Sequence, residues 1–419
     1  MKQLRALIVA ASLLLPSSAA AAPWTDPGYL YRYFFWGTRG LGHKDLDYQL
    51  FPYHEIENAP PAFRFAPGPA EAMQVTVEYR DGDTVKHVAL DDLLRSTGTH
   101  AFIVVRDDKL LYEDYFNGYQ RDSICVSRSI AKSVTSALVG IAIADGLIRS
   151  VNDPITDYLP ELKGQPGFDA ITIWNLLTMG SGIRFRLRNL PWDEEPLAYF
   201  HPNLSGVLLS DLEIVEPPGQ SFHYSDYNTE LVALILKRAT HRSLSEYLQE
   251  KVWKPLGMEY PATWSIDSFQ DDLELAFVLL NARAIDFAKL GRLFLNRGNW
   301  NGQQIVPERW VLESTTIDPN DQRPWETYPE FHPEGGYYKY FWWGYSRGAD
   351  DYTFKALGTW GQFIFVSPRT HVVIVRTAGD WGIDAVAWQQ VAEYIADHLG
   401  SAAASRGAGS RANGERGAD

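Results

Sequence analysis

Apolar and polar residues first alternate at 75–79 and 85–90, either side of Asp81-Gly82-Asp83, and predict a β-hairpin. A second hairpin is predicted from 101–106 and 110–116, joined by Asp107-Asp108-Lys109. The period changes at Ser129. From there to about Leu147, Ile130, Val134, Ala137, Leu138 and Ile141 recur at helical spacing, and Gly146 suits the C-terminal cap. Beyond Ala137 the helix is apolar on nearly all sides, which predicts burial. Residues 150–300 read as mainly helical, with helices at 173–179, 228–240, 243–253 and 283–297. Strand patterns return at 340–345, 353–357, 362–367 and 371–377, and a last helix covers 383–399. Strands at both ends with helices between them predict an α+β fold. One sheet is drawn from both ends of the chain, with a mainly helical region inserted.

The flanks break this pattern. Lys2 and Arg5 precede an apolar run at 6–15 that is too short to span a bilayer, and an A-x-A region at 19–22 follows. Residues 1–22 therefore read as a signal peptide, and the mature protein is expected to be periplasmic or secreted. No later stretch is long and apolar enough for stable membrane insertion. Residues 24–72 are rich in aromatics, proline and glycine and have little periodicity. They read as irregular, so 23–97 is drawn as a lead segment and 98–399 as the main domain. Residues 400–419 carry no aromatic or branched aliphatic side chain and are expected to be a disordered tail.

Composition narrows the partners. A net charge of -14 and a pI near 5.2 would repel phosphate backbones and anionic headgroups, so nucleic acid is not expected. The lone Cys125 excludes an internal disulfide and a cysteine metal cluster, and fits a small buried apolar residue better than a nucleophile. No metal and no cofactor are expected.

Three stretches carry candidate chemistry. The first is Ser129-Ile130-Ala131-Lys132, at the start of the buried helix. Residues three apart share a helix face, so the Lys132 amine can reach the Ser129 hydroxyl. A serine is a poor nucleophile until a base takes its proton, and burial can lower a lysine pKa enough to make it that base. The competing explanation is a helix cap with a surface lysine, which the apolar helix makes harder to sustain. The second is the loop 218–226, where Tyr224 stands at a loop-to-helix junction and can relay a proton to a leaving group. The third is Gly358-Thr359-Trp360-Gly361-Gln362, where the Gln362 amide can pair with that of Ser129 as an oxyanion hole. Taken singly, the second and third are equally explained by packing.

Together these segments resemble the penicillin-recognising serine hydrolases: class C β-lactamases, their esterase relatives and the 6-aminohexanoate-dimer hydrolases. Residues 127–138 look like the active-site helix of that superfamily. ADGLIRSVNDPITDYLPEL (144–162), ITIWNLLTMGSGI (171–183), PGQSFHYSDYNTELVALIL (218–236), VWKPLGM (252–258) and ALGTWGQFIFVSP (356–368) are similar in order to later family blocks. NARAIDFAKLGRLFLNRGNWNG (281–302) is a further such block, and the wording at 273–291 and at Gly358-Thr359-Trp360-Gly361-Gln362 is most similar to the 6-aminohexanoate-dimer hydrolase branch. The resemblance implies a β-lactamase/transpeptidase-like fold, with an antiparallel sheet flanked by helices. It also implies Ser129 as nucleophile, Lys132 as base, Tyr224 as proton relay and an acyl-enzyme intermediate.

Two departures shift the expected substrate. Asp226 stands where many β-lactamases have asparagine, and Thr359 where many relatives have a cation that would bind a substrate carboxylate. Asp226, Thr359, Trp360 and Gly361 are expected to contact substrate. A small-molecule ester or linear amide is favoured over a β-lactam or a D-Ala-D-Ala peptide. A non-catalytic cell-wall or ligand-binding protein is the rival of another class. Of the other features, the acids 193–195 could bind a substrate amine, and Arg184, Arg186 and Arg188 an acid. Trp342, Trp343 and Trp360 could line an acyl pocket or pack the core.

Overall fold

The computed structural model describes residues 22–40, 46–69, 73–329, 335–348 and 350–414, so all of the expected leader except Ala22 lies outside the described residues. The main sheet contains β1 (Ala66–Pro67), β2 (Thr99–Arg106), β3 (Lys109–Tyr115), β4 (Gly336–Lys339), β5 (Trp342–Gly348), β6 (Asp351–Gly358), β7 (Gln362–Ser367) and β8 (Val372–Ala378). Their spatial order is β4-β5-β6-β7-β8-β2-β3-β1. Both ends of the chain therefore build one sheet, sewn together where β8 pairs with β2 and Val375 faces Ile103. The pairing is antiparallel throughout except at the edge, where the two residues of β1 run parallel to β3.

The helices that position the site are α1 (Pro27–Gly40), α2 (Ile130–Ala144), α3 (Glu194–Phe200), α4 (Asp226–Thr240), α5 (Ala284–Leu295) and α6 (Ala385–Gly414). Successive side chains of β7 point to opposite faces of the sheet. Phe363 meets Trp388 of α6 at 6.1 Å between ring centroids. Ile364 faces α5 at Gly291, where an added Cβ would lie 2.8 Å from Ile364 and 2.4 Å from Val373. That contact needs glycine for space, not for a special dihedral angle. α2 runs through the centre, with every residue from 130 to 142 buried, and packs against α4 and the sheet. Each large aliphatic residue sealed there contributes about 1.5–3 kcal/mol of transfer free energy. The hairpin at Thr76–Asp81 and Thr84–Ala89 stands apart from the main sheet and packs against α6.

The lead segment is more ordered than its pattern suggests. It supplies α1, β1 and the strand Tyr53–Ile56, which pairs with Ala262–Ser265 in a second, four-stranded sheet. α1 contains Pro27, Gly28, Gly37 and Gly40, so its sequence reads as irregular. β4 was not legible either. The expected helix at 243–253 divides into Leu244–Leu248 and a π turn at Gln249–Trp253. At the C-terminus α6 continues helical to Gly414, across the boundary at 400 where a disordered tail is expected; Ala402, Ala403 and Ala404 favour helix there.

Candidate active site

The site begins at a strained turn. Cys125–Val126 pairs with Leu280–Ala282, and the Ser127 N–H donates to Leu280 O at 3.0 Å. Arg128 then adopts φ 49°, a left-handed conformation that is uncommon outside glycine and turns the chain into α2. Ser129 occupies the N-cap position of α2, yet its side chain makes no capping hydrogen bond. It accepts instead from Lys132 Nζ at 3.0 Å. Gly358, the last residue of β6, lies flat against this turn: a Cβ there would be 2.8 Å from both the Arg128 Cβ and the Ser127 carbonyl. The third motif thus reaches the first because only glycine fits between them.

Lys132 is 1% exposed. Its ammonium also contacts Asp226 Oδ1 at 2.7 Å and donates to the Phe277 carbonyl at 3.2 Å. The side chains of Ser129 and Tyr224 both bond to this group, and the Tyr224 ring centroid lies 4.9 Å from Nζ. Burial is the largest single influence on Lys132 and pulls its pKa down. The charge of Asp226, the Tyr224 oxygen and the hydrogen bonds to both outweigh it, so the pKa ends above the ordinary lysine value. The expectation that burial lowers the lysine pKa is therefore corrected, because a carboxylate shares its pocket. Burial also raises the Tyr224 phenol, helped by Asp226 and opposed by Lys132 and the bond from Ser129. Tyr224 is held by its N–H to Thr327 Oγ1 at 2.7 Å, and its ring stacks on Trp343 at 5.8 Å.

A cleft of about 700 Å³ opens over Ser129. Its walls are largely aromatic, with Tyr33 and Trp36 from α1, Phe51, Tyr199, Phe277 and Trp360 among them. The polar groups in it are Ser129, Arg128, Asp47, Asn189, Glu195, Asp226 and Thr359. Arg128 is already engaged: it donates to Tyr199 Oη at 2.8 Å and Asp47 Oδ2 at 3.1 Å, and stacks 4.1 Å above Trp360. Glu195 enters from α3. Burial, then the charge of Asp226, raise its carboxyl pKa to about 7, against the pull of Lys132.

Of the residues singled out from the sequence, Ser129, Lys132, Tyr224 and Asp226 meet at one point, and Thr359 and Trp360 line the cleft above them. Asp226, expected to contact substrate, lines the cleft and also contacts Lys132 through Oδ1, because the first turn of α4 aims it into the same pocket. Gly361 is buried with φ 82°, and its carbonyl accepts from Arg376 at 2.9 Å, so it supports the turn from behind. The Gln362 side chain bonds both backbone groups of Ala378, which anchors its own backbone at the start of β7. Arg184, Arg186 and Arg188 pair with Asp193, Glu194 and Glu213, leaving Glu195 as the acid of that run that reaches the cleft. Trp342 packs the core against Phe294, Trp343 backs Tyr224, and Cys125 is buried beside Thr377. Asp47, Tyr199 and Phe277 carry no sequence signal of their own, and Arg128 shows one only through its place beside Ser129.

Comparison with known proteins identifies the family and the fold. The Beta-lactamase family model matches residues 90–394. A 6-aminohexanoate-dimer hydrolase from Paenarthrobacter ureafaciens is 27% identical over 378 residues, covering 86% of this chain and 89% of that protein. A Bacillus anthracis structure carrying a provisional 6-aminohexanoate-dimer hydrolase name superposes with a TM-score of 0.70 at 25% identity, covering 92% of this chain and 98% of that one. A penicillin-binding protein homologue from Pyrococcus abyssi shares the fold, with a TM-score of 0.56 at 18% identity over 76% of each chain. With its β-lactamase/transpeptidase-like α+β fold, this chain belongs to the beta-lactamase family of serine hydrolases.

Proposed function

We propose that this chain is an exported serine hydrolase that cleaves an ester or linear amide bond through an acyl-enzyme on Ser129. The observation that carries the proposal is the uncapped Ser129 hydroxyl at 3.0 Å from a buried lysine amine. Export rests on the leader pattern in residues 1–22. Ser129 Oγ attacks the substrate carbonyl while Lys132, in its amine form, takes the serine proton. The amides of Ser129 and Gln362 receive the developing oxyanion. Tyr224 gives a proton to the leaving group and regains one from Lys132, the carbonyl–heteroatom bond breaks, and water then hydrolyses the serine ester. Neither metal nor organic cofactor enters these steps.

The cleft favours a linear substrate with an apolar chain. Aromatic walls accommodate methylenes, and Glu195 faces the space a cationic end would fill. A carboxylate is served less well: the arginine among the described lining residues is paired with Asp47, and Thr359 is neutral. A linear aminohexanoate dimer, the substrate named for the Paenarthrobacter relative, has such a chain, with an amine at one end and a carboxylate at the other. β-Lactams and D-Ala-D-Ala peptides, which lack the long methylene chain, rank second.

The test is hydrolysis of a short-chain aryl ester, a linear aminohexanoate dimer and a chromogenic cephalosporin, beside Ser129→Ala. Turnover of the ester or the dimer should fall by about a thousandfold or more in the variant. An unchanged rate in Ser129→Ala would remove the assignment.

A further inference from the structure

The turn at residues 275–278 is held at every carbonyl. Trp264 Nε1 donates to Leu275 O at 3.1 Å and to Val278 O at 3.2 Å. Thr135 Oγ1, from α2, shares its one hydrogen between Ala276 O at 3.2 Å and Ala131 O of its own helix at 3.1 Å. Lys132 Nζ, one turn earlier on the same helix, donates to Phe277 O at 3.2 Å. The opposite side of the turn is held by Glu230 of α4, whose Oε1 accepts the Phe277 N–H at 3.3 Å. Phe277 and Val278 present their side chains to the cleft. One peptide unit therefore touches the Lys132 ammonium through its carbonyl, while the N–H of the same residue is fixed by Glu230.

Glu230 is an unusual choice for that task. It is 0% exposed, and its Oε2 is buried without a hydrogen-bond partner. Burial raises its pKa well above the carboxylate range, against the backbone N–H groups of Phe277 and Ala276. An acid sealed in a core costs stability unless its acceptor is needed there. It also sits one helical turn after Asp226, so α4 delivers two carboxyl groups to the two sides of Lys132: one by direct contact, one through the 275–278 turn.

We infer that Glu230 is a positioning residue, which with Thr135 holds the Phe277 carbonyl where it orients the Lys132 ammonium toward Ser129. The inference rests on the proposed role of Lys132 in the chemistry at Ser129. Displacing that carbonyl takes an acceptor from the ammonium and lets the amine drift from the serine oxygen. The loss falls on the chemical step, since misplacement of about 1 Å is enough to cost about a hundredfold. It also favours the uncharged amine, so the pKa of Lys132 falls.

Glu230→Leu removes the acceptor at similar volume, and Glu230→Gln keeps it. On whichever panel substrate the parent turns over, Glu230→Leu should lose about tenfold to a hundredfold in kcat with KM changed less than about threefold. The acid limb of its kcat/KM profile should move to lower pH. Glu230→Gln should stay within about threefold of the parent and keep the parent's profile. If Glu230→Leu does not fold, Thr135→Val carries the same readout from the other side of the turn. A folded Glu230→Leu (or, in its place, Thr135→Val) with the parent's kcat and profile overturns the inference, as does a Glu230→Gln that fails as badly as the leucine. Ser129→Ala separates the two layers. If that control is dead while the positioning variants are normal, only this inference falls; if it is active, the reading of the site itself falls.

Discussion

Lys132 is the residue on which the proposed chemistry turns. Its ammonium has Ser129 on one side, Asp226 on another and the Phe277 carbonyl behind it. The titratable groups that face it are Asp226, Tyr224 and, at longer range, Glu195. Asp226 holds the lysine charged, so the fraction able to act as a base grows with pH. Glutamate and asparagine replacements would differ here, since only the acid carries the charge. Asp226→Asn should therefore lower the Lys132 pKa and shift the acid limb of kcat/KM to lower pH, by about one unit or more. A rate–pH profile of parent and variant checks this. An unshifted limb, or one moved to higher pH, would mean that Lys132 is not the base that limits the rate. Ser129, Lys132 and Tyr224 could be read from the sequence because each sits in a contiguous motif. Glu195 is legible only as one of the three acids 193–195, and Glu230 not at all: an acid on a helix looks the same whether it faces water or a buried turn, and only tertiary packing decides.

At the scale of elements, α5 shows how the scaffold is locked. Lys289 and Asp286 are both fully buried and contact each other at 2.9 Å. Asp286 also accepts the N–H groups of Glu259 and Tyr260, at 2.7 and 3.1 Å, and Lys289 donates to Gly257 O at 3.1 Å. The pair ties the helix to the loop before the second sheet. Removing one partner leaves a buried charge without compensation. Lys289→Met should cost about 3–5 kcal/mol in urea unfolding; a loss below about 1 kcal/mol would contradict this picture. Continuous apolar runs were legible, as for β7, whose predicted and observed limits coincide at Gln362–Ser367 although all six residues are buried. α1 was not, because Pro27, Gly28, Gly37 and Gly40 are poor helix formers that obscure its pattern. β4 was not legible because Gly336, Tyr337, Tyr338 and Lys339 give neither a strand alternation nor an apolar run.

At the scale of the molecule, the topology explains why one site gathers motifs so far apart in sequence. The sheet is drawn from both ends of the chain, which brings Gly358 at the end of β6 against the turn before α2. The inserted helical region supplies Tyr224, Asp226 and Glu230 from one short stretch of chain. The lead segment, most of which precedes the family match at 90–394, closes the cleft with α1 and Asp47. In the proposed mechanism the nucleophile and its base lie within the matched region, while the lead segment and α3 line the space above them. On that reading substrate choice rests on the lead segment and α3, and chemistry on α2 and α4.

The most direct test of the central claim is covalent. The purified chain would be treated with a fluorophosphonate serine probe, digested and examined by mass spectrometry. The account predicts a single adduct, on the peptide containing Ser129, lost in Ser129→Ala and formed much more slowly in Lys132→Ala. A folded protein that takes no label, or takes it on another residue, would contradict it.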